Sequence, residues 1–476
     1  MPVVKQVIYQ YSPLAIQNLI ISVYGYYWKN RRYGKTFEKE LWKYKLREKF
    51  TYSEWENYQN EQLRSILSHA YHNVPLYKEK YAKYGIGLSD IKSFTIRELY
   101  KLPPLEKDEL RRFGTTKLLS TKREKGGIFL SSSGSTGTPT KILFSRDFHQ
   151  KWQAAMEARV RNWAGITKDN PRGMIGGRRI IPSAYSKPPF YRYNFFEKQV
   201  YFSAYHISPS NLKGYISAFE KYPIDYMTGY AFSNYILAQL IANEGIKVPK
   251  IKAVITSSEK LTDGMRKTLE TVYNCKTYDS YSGVEACGLI SENEYGELLI
   301  SPDVGILEVL KPDGTPCVPG ETGEILSTGF LNYDQPLIRY RIGDMVHLSK
   351  NQQTACGRNM PKVEEIIGRI EDVITGPDGR KMVRFHGIFI NIPSIKTAQI
   401  VQKDLYNIEI RLIAENKLKT KEENLILSRI TSQLGNINVV LNYVNEIPPG
   451  PNGKFKSVIS QINTNHGQFK KNDLGN

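Results

Sequence analysis

The sequence predicts an α/β protein. A large N-terminal domain with mixed and parallel sheets flanked by helices precedes a small α+β domain at the carboxyl terminus. Three observations predict this. Strand-like and helix-like apolar patterns alternate through the middle of the chain, the mark of a mostly parallel sheet with helices on its faces. Glycine- and hydroxyl-rich turns fall where those strands end, and ligands of such sheets sit beyond the carboxyl ends of strands. Past Gly379 the pattern changes to a short run of strands around one helix. With 476 residues and 40% hydrophobic content, the chain can bury a large core and fill two or more domains.

The first element is an apolar segment, Leu14-Ala15-Ile16 then Leu19-Ile20-Ile21 on to Trp28, which also carries Gln17 and Asn18. A basic cluster follows: Lys29, Arg31, Arg32 and Lys35. Two readings stay open for residues 1–50, taken as an N-terminal arm. One, slightly favoured, is a helix packed on the protein's own core. The other is an interfacial anchor, because apolar stretch, aromatics, then bases is the order such anchors use.

Two apolar runs, Ile128–Leu130 and Ile142–Phe144, read as strands. Between them lies Ser131-Ser132-Ser133-Gly134-Ser135-Thr136-Gly137-Thr138-Pro139-Thr140-Lys141. Glycine admits close backbone approach and positive φ, so such a loop can aim successive N–H groups at one anion. The hydroxyls of Ser133, Ser135 and Thr136 add donors, and a phosphate is the natural guest. The loop is not a Walker P-loop, which needs Gly-Lys-[Ser/Thr] leading into a helix.

After Ser145, the residues Phe148, Trp152, Ala155, Met156, Val160 and Trp163 fall at helical spacing, with Asp147 and Gln150 placed for a capping box. Ser208-Pro209 opens a helix with Leu212, Tyr215, Ile216 and Phe219 on one face. A short strand at Ile224–Met227, a helix at Tyr230–Asn243 and a buried strand at Ala253–Ile255 follow. Leu261, Met265, Leu269 and Val272 mark another helix. Ser257-Ser258-Glu259 and Tyr278–Glu285 then lie at strand ends. Further on, Ile408, Ile410 and Leu412 alternate with polar residues, Lys421–Gly435 is helical in pattern, and Ile437–Val444 is strand-rich. Gly376-Pro377-Asp378-Gly379 is a strong turn signal. The predicted boundary falls near Glu371, giving a large domain of 51–370 and a small one of 371–476.

Four further clusters carry chemistry. Tyr281-Ser282-Gly283-Val284-Glu285 puts a carboxylate after a turn. Arg339-Tyr340-Arg341-Ile342-Gly343-Asp344 holds two guanidiniums and a carboxylate. Gly368-Arg369-Ile370-Glu371-Asp372 combines glycine, arginine and acids, and Pro451-Asn452-Gly453-Lys454 offers a lysine on a turn. Each alone is ordinary. In this order, with the hydroxyl-rich loop, they resemble the adenylate-forming superfamily of acyl-CoA synthetases. Within it the chain looks most like the phenylacetate–CoA ligase family, including the CapK-type proteins of polysaccharide gene clusters. The resemblance covers roughly residues 90 to 460 and extends to Cys356-Gly357-Arg358.

The resemblance implies ATP-dependent activation of a carboxylic acid to an acyl-adenylate, then transfer to CoA or another acceptor. Ser133, Gly134, Ser135, Thr136 and Gly137 would cradle phosphates. Glu285 would hold Mg²⁺, and Asp344 would accept the ribose hydroxyls. Ser257, Ser258, Glu259, Tyr281 and Ser282 would line the adenine and α-phosphate region. Arg369 would contact ribose or phosphate, and Lys454 would reach in from the small domain to the carboxylate and α-phosphate. The family's hinge position is Glu371, about which the small domain would swing between two poses.

Departures from the family pattern matter. Members with a zinc site carry a Cys-x-His and a Cys-x-Cys pair; here those positions read Asn293, Tyr295, Thr354 and Cys356. Structural zinc wants four Cys or His donors, so no zinc is expected. Val284 stands where Ser or Thr is usual. Cys287 has no His near it in sequence and reads as a pocket wall. The region expected to hold the acyl group is rich in Tyr and Pro: Tyr185, Pro188, Pro189, Tyr191, Tyr193, Phe195, Phe196, Tyr201 and Tyr205. Arg178-Arg179 suits an acidic substrate or CoA phosphates, with neither preferred.

Composition narrows the class. Net charge is +19, yet no helix-turn-helix, zinc-finger or RNP-like pattern supports nucleic acid. The four cysteines, Cys275, Cys287, Cys317 and Cys356, are scattered, as in a reducing compartment. No apolar run is long enough to span a bilayer and no signal-peptide pattern appears, so a cytoplasmic enzyme, with peripheral membrane contact left open, is the expectation. Two other readings stand beside the ligase: a catalytically reduced nucleotide-binding interaction protein, and AMP transfer to a small-molecule acceptor.

Overall fold

The computed structural model describes Tyr9 and residues 11–131, 140–178, 180–181, 187–369, 374–377, 381–382, 386–389, 392, 394–448 and 456–462. The chain divides into two compact units, the larger drawn from Met1–Gly368 and the smaller from Arg369–Pro449 and Lys456 onward. The fold is mixed α/β, as the sequence predicts.

The larger unit begins with helices α1 (Leu14–Arg32), α2 (Lys35–Arg47) and α3 (Tyr52–Asn73). Thr51 caps α3: its side chain accepts from Glu54 N–H while the Glu54 carboxylate accepts from Thr51 N–H. The apolar face of α3, with Leu63, Ile66, Leu67 and Ala70, enters the main core with no measurable exposure.

An antiparallel pair follows, β1 (Ile128–Ser131) and β2 (Lys141–Phe144), in register Ser131 with Lys141. Helix α4 (Arg146–Ala155) starts at Ser145, whose side chain accepts from Phe148 N–H. This corrects the expected Asp147–Gln150 box. Asp147 instead pairs with Lys151 at 2.6 Å, and Gln150 Oε1 accepts from Phe37 N–H. Ser145 wins because it occupies the extended position just before the first turn.

Among the described residues the main sheet has twelve strands. They are β3 (Arg172–Gly176), β4 (Tyr191–Asn194), β5 (Gln199–Ser203), β6 (Tyr226–Tyr230), β7 (Ala253–Ser257), β8 (Lys276–Tyr281), β9 (Ile290–Glu292), β10 (Leu298–Ile300), β11 (Gly305–Leu310), β12 (Thr322–Gly329), β13 (Tyr340–Leu348) and β14 (Lys362–Arg369). Their order is β11-β12-β13-β14-β10-β9-β8-β7-β6-β3-β5-β4. The run β5-β3-β6-β7-β8 is parallel, and antiparallel strands continue it on both sides.

Crossover helices α5 (Leu212–Lys221), α6 (Ala231–Asn243) and α7 (Asp263–Tyr273) serve the parallel run. Leu212, Tyr215 and Phe219 of α5 and Leu269 and Tyr273 of α7 share one core cluster with Val200, Phe202 and Val254 of the sheet. The strand expected at Ile224–Met227 lies at Tyr226–Tyr230. Within it Gly229 holds φ 122° where a Cβ would run into the Ile175 carbonyl, so the strand runs on through a position that only glycine fits.

In the smaller unit, β15 (Ile374–Thr375) pairs with β16 (Lys381–Met382). A second sheet is built from β17 (Ile395–Gln402), β18 (Asn407–Ala414), β19 (Asn438–Tyr443) and β20 (Val458–Ser460), in order β19-β18-β17-β20. Helix α8 (Thr420–Leu434) lays Ile426, Ile430 and Leu434 against Ile400, Ile410 and Leu412. The alternation at 408–412 and the helix at 421–435 both form as predicted.

Candidate active site

Parallel register brings three strand ends together. Tyr230 pairs with Ser257, and Ser257 with Ser280. The chain leaves β7 through Ser258, which holds a positive φ of 69°. Next, Glu259 turns its carboxylate onto Phe232 N–H at 2.9 Å. The acid therefore sits at the N-terminal turn of α6, where a negative charge is favoured by the free N–H groups and the helix dipole.

From β8 the chain turns through Tyr281–Glu285. Ala286 donates its N–H to the Gly283 carbonyl at 3.2 Å and takes φ 47°. A Cβ on Gly283 would run into Glu285 Oε2, so bare glycine lets the carboxylate fold back over the turn. Glu285 Oε1 accepts from Thr140 Oγ1 at 3.2 Å and from the Tyr340 hydroxyl at 3.5 Å. Thr140 belongs to the hydroxyl-rich loop, and Ser131 and Lys141 pair at the loop's foot. Glu285 thus stands at the base of that loop. Burial raises its carboxyl pKa, and the charge of Asp344 pushes the same way.

Asp344 comes from the other side. Pairing of β12 with β13 shifts register between Glu324 opposite Met345 and Leu326 opposite Arg341. Strand β13 therefore bulges across Ile342, Gly343 and Asp344. Gly343 holds φ 85°, which glycine alone adopts without strain. The Tyr281 hydroxyl donates to Asp344 Oδ2 at 2.6 Å, joining the turn after β8 to the bulge. Burial and the adjacent carboxylate hold that phenol's pKa well above 10.

Ser257, Ser258, Glu259, Tyr281, Ser282, Glu285 and Asp344 are thus placed on neighbouring strand ends and one bulge. Ser133, Gly134, Ser135, Thr136, Gly137, Glu371 and Lys454 lie outside the described residues. Arg369 ends β14, and its side chain lies outside them too. Sequence reasoning missed Thr140 and Tyr340 as partners of Glu285. The partner positions are 145 and 55 residues away along the chain, so no local signal could mark them.

Arg339 and Arg341, grouped with Asp344 in the sequence, do other work. Arg339 donates to Glu308 and to the carbonyls of Tyr100 and Leu102, and Arg341 pairs with Glu106 and Glu324. Val284 packs against the main core. Cys287 is 4% exposed, and burial pushes its thiol up to about 12, unsuited to a nucleophile at neutral pH.

Of the aromatic run, Tyr191 and Tyr201 are buried, and Tyr193 stacks on Tyr222 at 4.1 Å. Tyr205 donates to the Gly177 carbonyl, while Phe195 and Phe196 are exposed. Tyr185 and Arg179 lie outside the described residues. The Arg178 guanidinium stands over the rings of Tyr24 and Tyr201. Packing accounts for most of this aromatic density.

The residues present do not fit zinc. Asn293 Oδ1 accepts from the N–H groups of Tyr295 and Glu297, and its amide donates to Glu297. Thr354 Oγ1 donates to the Arg358 carbonyl, and Cys356 packs beside the Trp55–Trp163–Met360 cluster. An amide, a phenol, a hydroxyl and one thiol are not a structural zinc set. Magnesium fits better at Glu285. A hard cation wants carboxylate oxygen, and this carboxylate is raised in pKa by burial and a second acid.

Comparison with known proteins is consistent with this geometry. The CapK C-terminal domain family matches residues 374–461. Protein CapK of Staphylococcus aureus is 29% identical over 472 residues, covering 96% of this chain and 99% of that one. The phenylacetate-coenzyme A ligase of Escherichia coli (strain K12) is 24% identical over 340 residues, 66% of this chain and 71% of the relative. Among solved structures, a 2-hydroxyisobutyryl-CoA ligase in the postadenylation state superposes with TM-score 0.68 at 18% identity, covering 87% of this chain and 91% of that one. That likeness shows the fold.

Proposed function

We propose that this chain, homologous to CapK and to the phenylacetate-coenzyme A ligases, activates a carboxylic acid with ATP. A substrate carboxylate oxygen bonds to the α-phosphorus, the bond to the bridging oxygen breaks, and pyrophosphate leaves. The acyl group of the adenylate then passes to CoA or another acceptor. The observation that carries this reading is the pairing of two acids across the sheet's end: Glu285 at the foot of the hydroxyl-rich loop and Asp344 fixed by Tyr281.

Ser133, Gly134, Ser135, Thr136 and Gly137 hold the terminal phosphates through N–H and hydroxyl donors. Asp344 accepts the ribose hydroxyls, oriented by the Tyr281 phenol. Ser257, Ser258 and Ser282 line the nucleotide, and Glu259, its carboxylate on Phe232 N–H, contributes the shape of the wall. Glu285 would hold Mg²⁺, which neutralises phosphate charge when bound. Lys454 balances charge at the α-phosphate, a task suited to a compact ammonium, and Arg369 contacts ribose or phosphate. Residues 371–476 act as a lid about Glu371. The resemblance to CapK-type proteins supports assigning the acyl product to cell-surface polysaccharide assembly.

ATP–pyrophosphate exchange across a panel of aryl, amino and hydroxy acids tests the reading. At least one acid should support exchange, and Lys454→Ala should lower it by about 10²–10³, the loss typical of a group aimed at developing charge. Exchange unchanged in that variant would remove the mechanism. Glu371→Pro should keep exchange and lose thioester formation. One observation favours a second reading. Val284 packs into the core where the family pattern carries a hydroxyl, which suits a protein that binds nucleotide without turnover. Nucleotide binding without exchange for any acid would support it.

A further inference from the structure

Helix α1 buries Ile21 in a small apolar cluster with Tyr9, Ile180, Ile181 and Tyr201, and otherwise turns polar groups inward. It lies along β4, the edge strand of the main sheet, and meets it with polar side chains. Asn18 Oδ1 accepts from Tyr193 N–H at 3.0 Å, and Ser22 Oγ accepts from Phe195 N–H at 3.1 Å. Gln17 Oε1 accepts from Arg192 Nε at 2.6 Å. An edge strand leaves backbone donors without a neighbouring strand, and Asn18 and Ser22 supply the acceptors. The close approach at Gly25, where a Cβ would run into the Asn194 side chain, completes the seat.

With polar groups turned inward, the outer stripe is apolar. Ile16 is 46% exposed, Leu19 61%, Val23 59%, Tyr26 52% and Tyr27 52%. The β4–β5 turn extends it: Phe195 is 68% exposed, and the Phe196 ring lies 4.9 Å from Tyr26. Soluble surfaces seldom keep an apolar stripe of this length without a partner.

Charge on the patch is sorted by sign. Lys29, which reaches the Phe196 carbonyl, is exposed, as are Lys198 in the same turn, Lys35 and Arg146, which donates to the Asn30 carbonyl. The local acid, Glu197, is buried against Arg32 and Arg172. No Asp or Glu precedes Glu38 in the chain. The basic cluster read from the sequence is therefore revised: Arg31 is buried on the Phe144 carbonyl and Arg32 is in an ion pair, while Lys29 and Lys35 stay outside. Among the described residues no helix is long and apolar enough to cross a membrane.

We propose that the outer face of α1, continued by Phe195 and Phe196, lies in the plane of an anionic lipid surface. The apolar stripe enters the headgroup boundary and the flanking lysines and Arg146 meet lipid phosphates, the division of labour of an interfacial helix. This docking is independent of the acid-activating chemistry.

Flotation of the full chain with vesicles tests it. The protein should float with phosphatidylglycerol-rich vesicles at low salt, less with phosphatidylcholine alone, and leave the anionic vesicles as salt rises. Leu19→Glu with Val23→Glu should lower the bound fraction at least about tenfold, given the apolar area removed from the stripe. Both positions are solvent-exposed, so the variant should keep the wild-type circular dichroism and melting temperature. Failure to float, or equal flotation of wild type and variant, would overturn the proposal. So would light scattering that shows a dimer split by the same double substitution, since the face would then belong to a second copy of the chain.

Discussion

Two acid clusters in the larger unit differ in who answers their charge. Asp303 is fully buried between two guanidiniums: Arg47 Nε and Arg159 Nη2 each lie 2.9 Å from its Oδ2, and Arg159 also holds Glu48 at 2.6 Å. Glu285 and Asp344 stand at strand ends with hydroxyls as hydrogen-bond partners: Thr140, Tyr340 and Tyr281. The first cluster carries its own counter-charge and ties α2 to the chain before β11. Among the described residues the second accepts hydrogen bonds from the hydroxyls of Thr140, Tyr340 and Tyr281, and burial raises Glu285 toward the protonated form.

The largest effect should come from the structural cluster. Arg159→Met leaves Asp303 and Glu48 short of a partner that is 0% exposed. Removing one member of a buried ion network costs about 3–5 kcal/mol, read as a lower urea midpoint. A smaller loss, below about 1 kcal/mol, would break the comparison, because Asp303 would then not depend on its cations.

At the site the pattern should invert. Glu285→Gln keeps an acceptor for Thr140 and removes a charge that burial disfavours, so the urea midpoint should hold or rise. Exchange should fall about 10²-fold, the scale of losing one electrostatic contact to a reacting group. Wild-type exchange should also weaken as pH falls toward the raised Glu285 pKa, since the protonated acid cannot hold Mg²⁺. A Gln variant that lost stability and kept exchange would reassign Glu285 to the scaffold. Tyr281→Phe sharpens the contrast at smaller scale. Removing the 2.6 Å donor to Asp344 should raise KM for ATP about tenfold, the worth of a hydrogen bond to a charged group, with little change in kcat.

The same comparison explains how much was legible in the sequence. Helix α7 and the β18–α8 pattern were readable because their apolar spacing is local. The motif residues Tyr281, Glu285, Gly343 and Asp344 were readable as chemistry, and strand register then brings them together. Arg339 and Arg341 were misleading neighbours. Arg339 stands just outside β13 with φ 48° while Arg341 lies within the strand, and both guanidiniums found distant carboxylates. Thr140 and Tyr340 were invisible because their role exists only after the sheet forms. Gln17 and Asn18 were a signal that could have been used further. Two amides inside an apolar run are hard to place in a core, and here they face a sheet edge that lacks acceptors.

A third acid lies between the two extremes. Asp279 of β8 accepts from Ser280 N–H at 2.9 Å and from Thr256 Oγ1 at 3.3 Å, and its neighbour Glu292 is the acid that Arg266 holds. Burial, then the charge of Glu292, pushes its carboxyl up to about 7. In the unfolded chain an Asp titrates near about 3.9. Between those values the folded state keeps a proton that the unfolded state releases, so stability falls as pH rises through the window and the cost is complete above it. Asn at 279 can accept the same two hydrogen bonds and offers its amide toward Glu292. Asp279→Asn should therefore stabilise the protein by about 1 kcal/mol at pH 8, a figure set below the full linkage value because partial solvation screens the group. The gain should narrow toward pH 5 and vanish near pH 4. Urea midpoints of both proteins across that range measure it. A gain that is flat with pH would mean that packing, not ionisation, separates the two side chains. A loss at pH 8 would place Asp279 with Asp303, as an acid whose charge the fold answers.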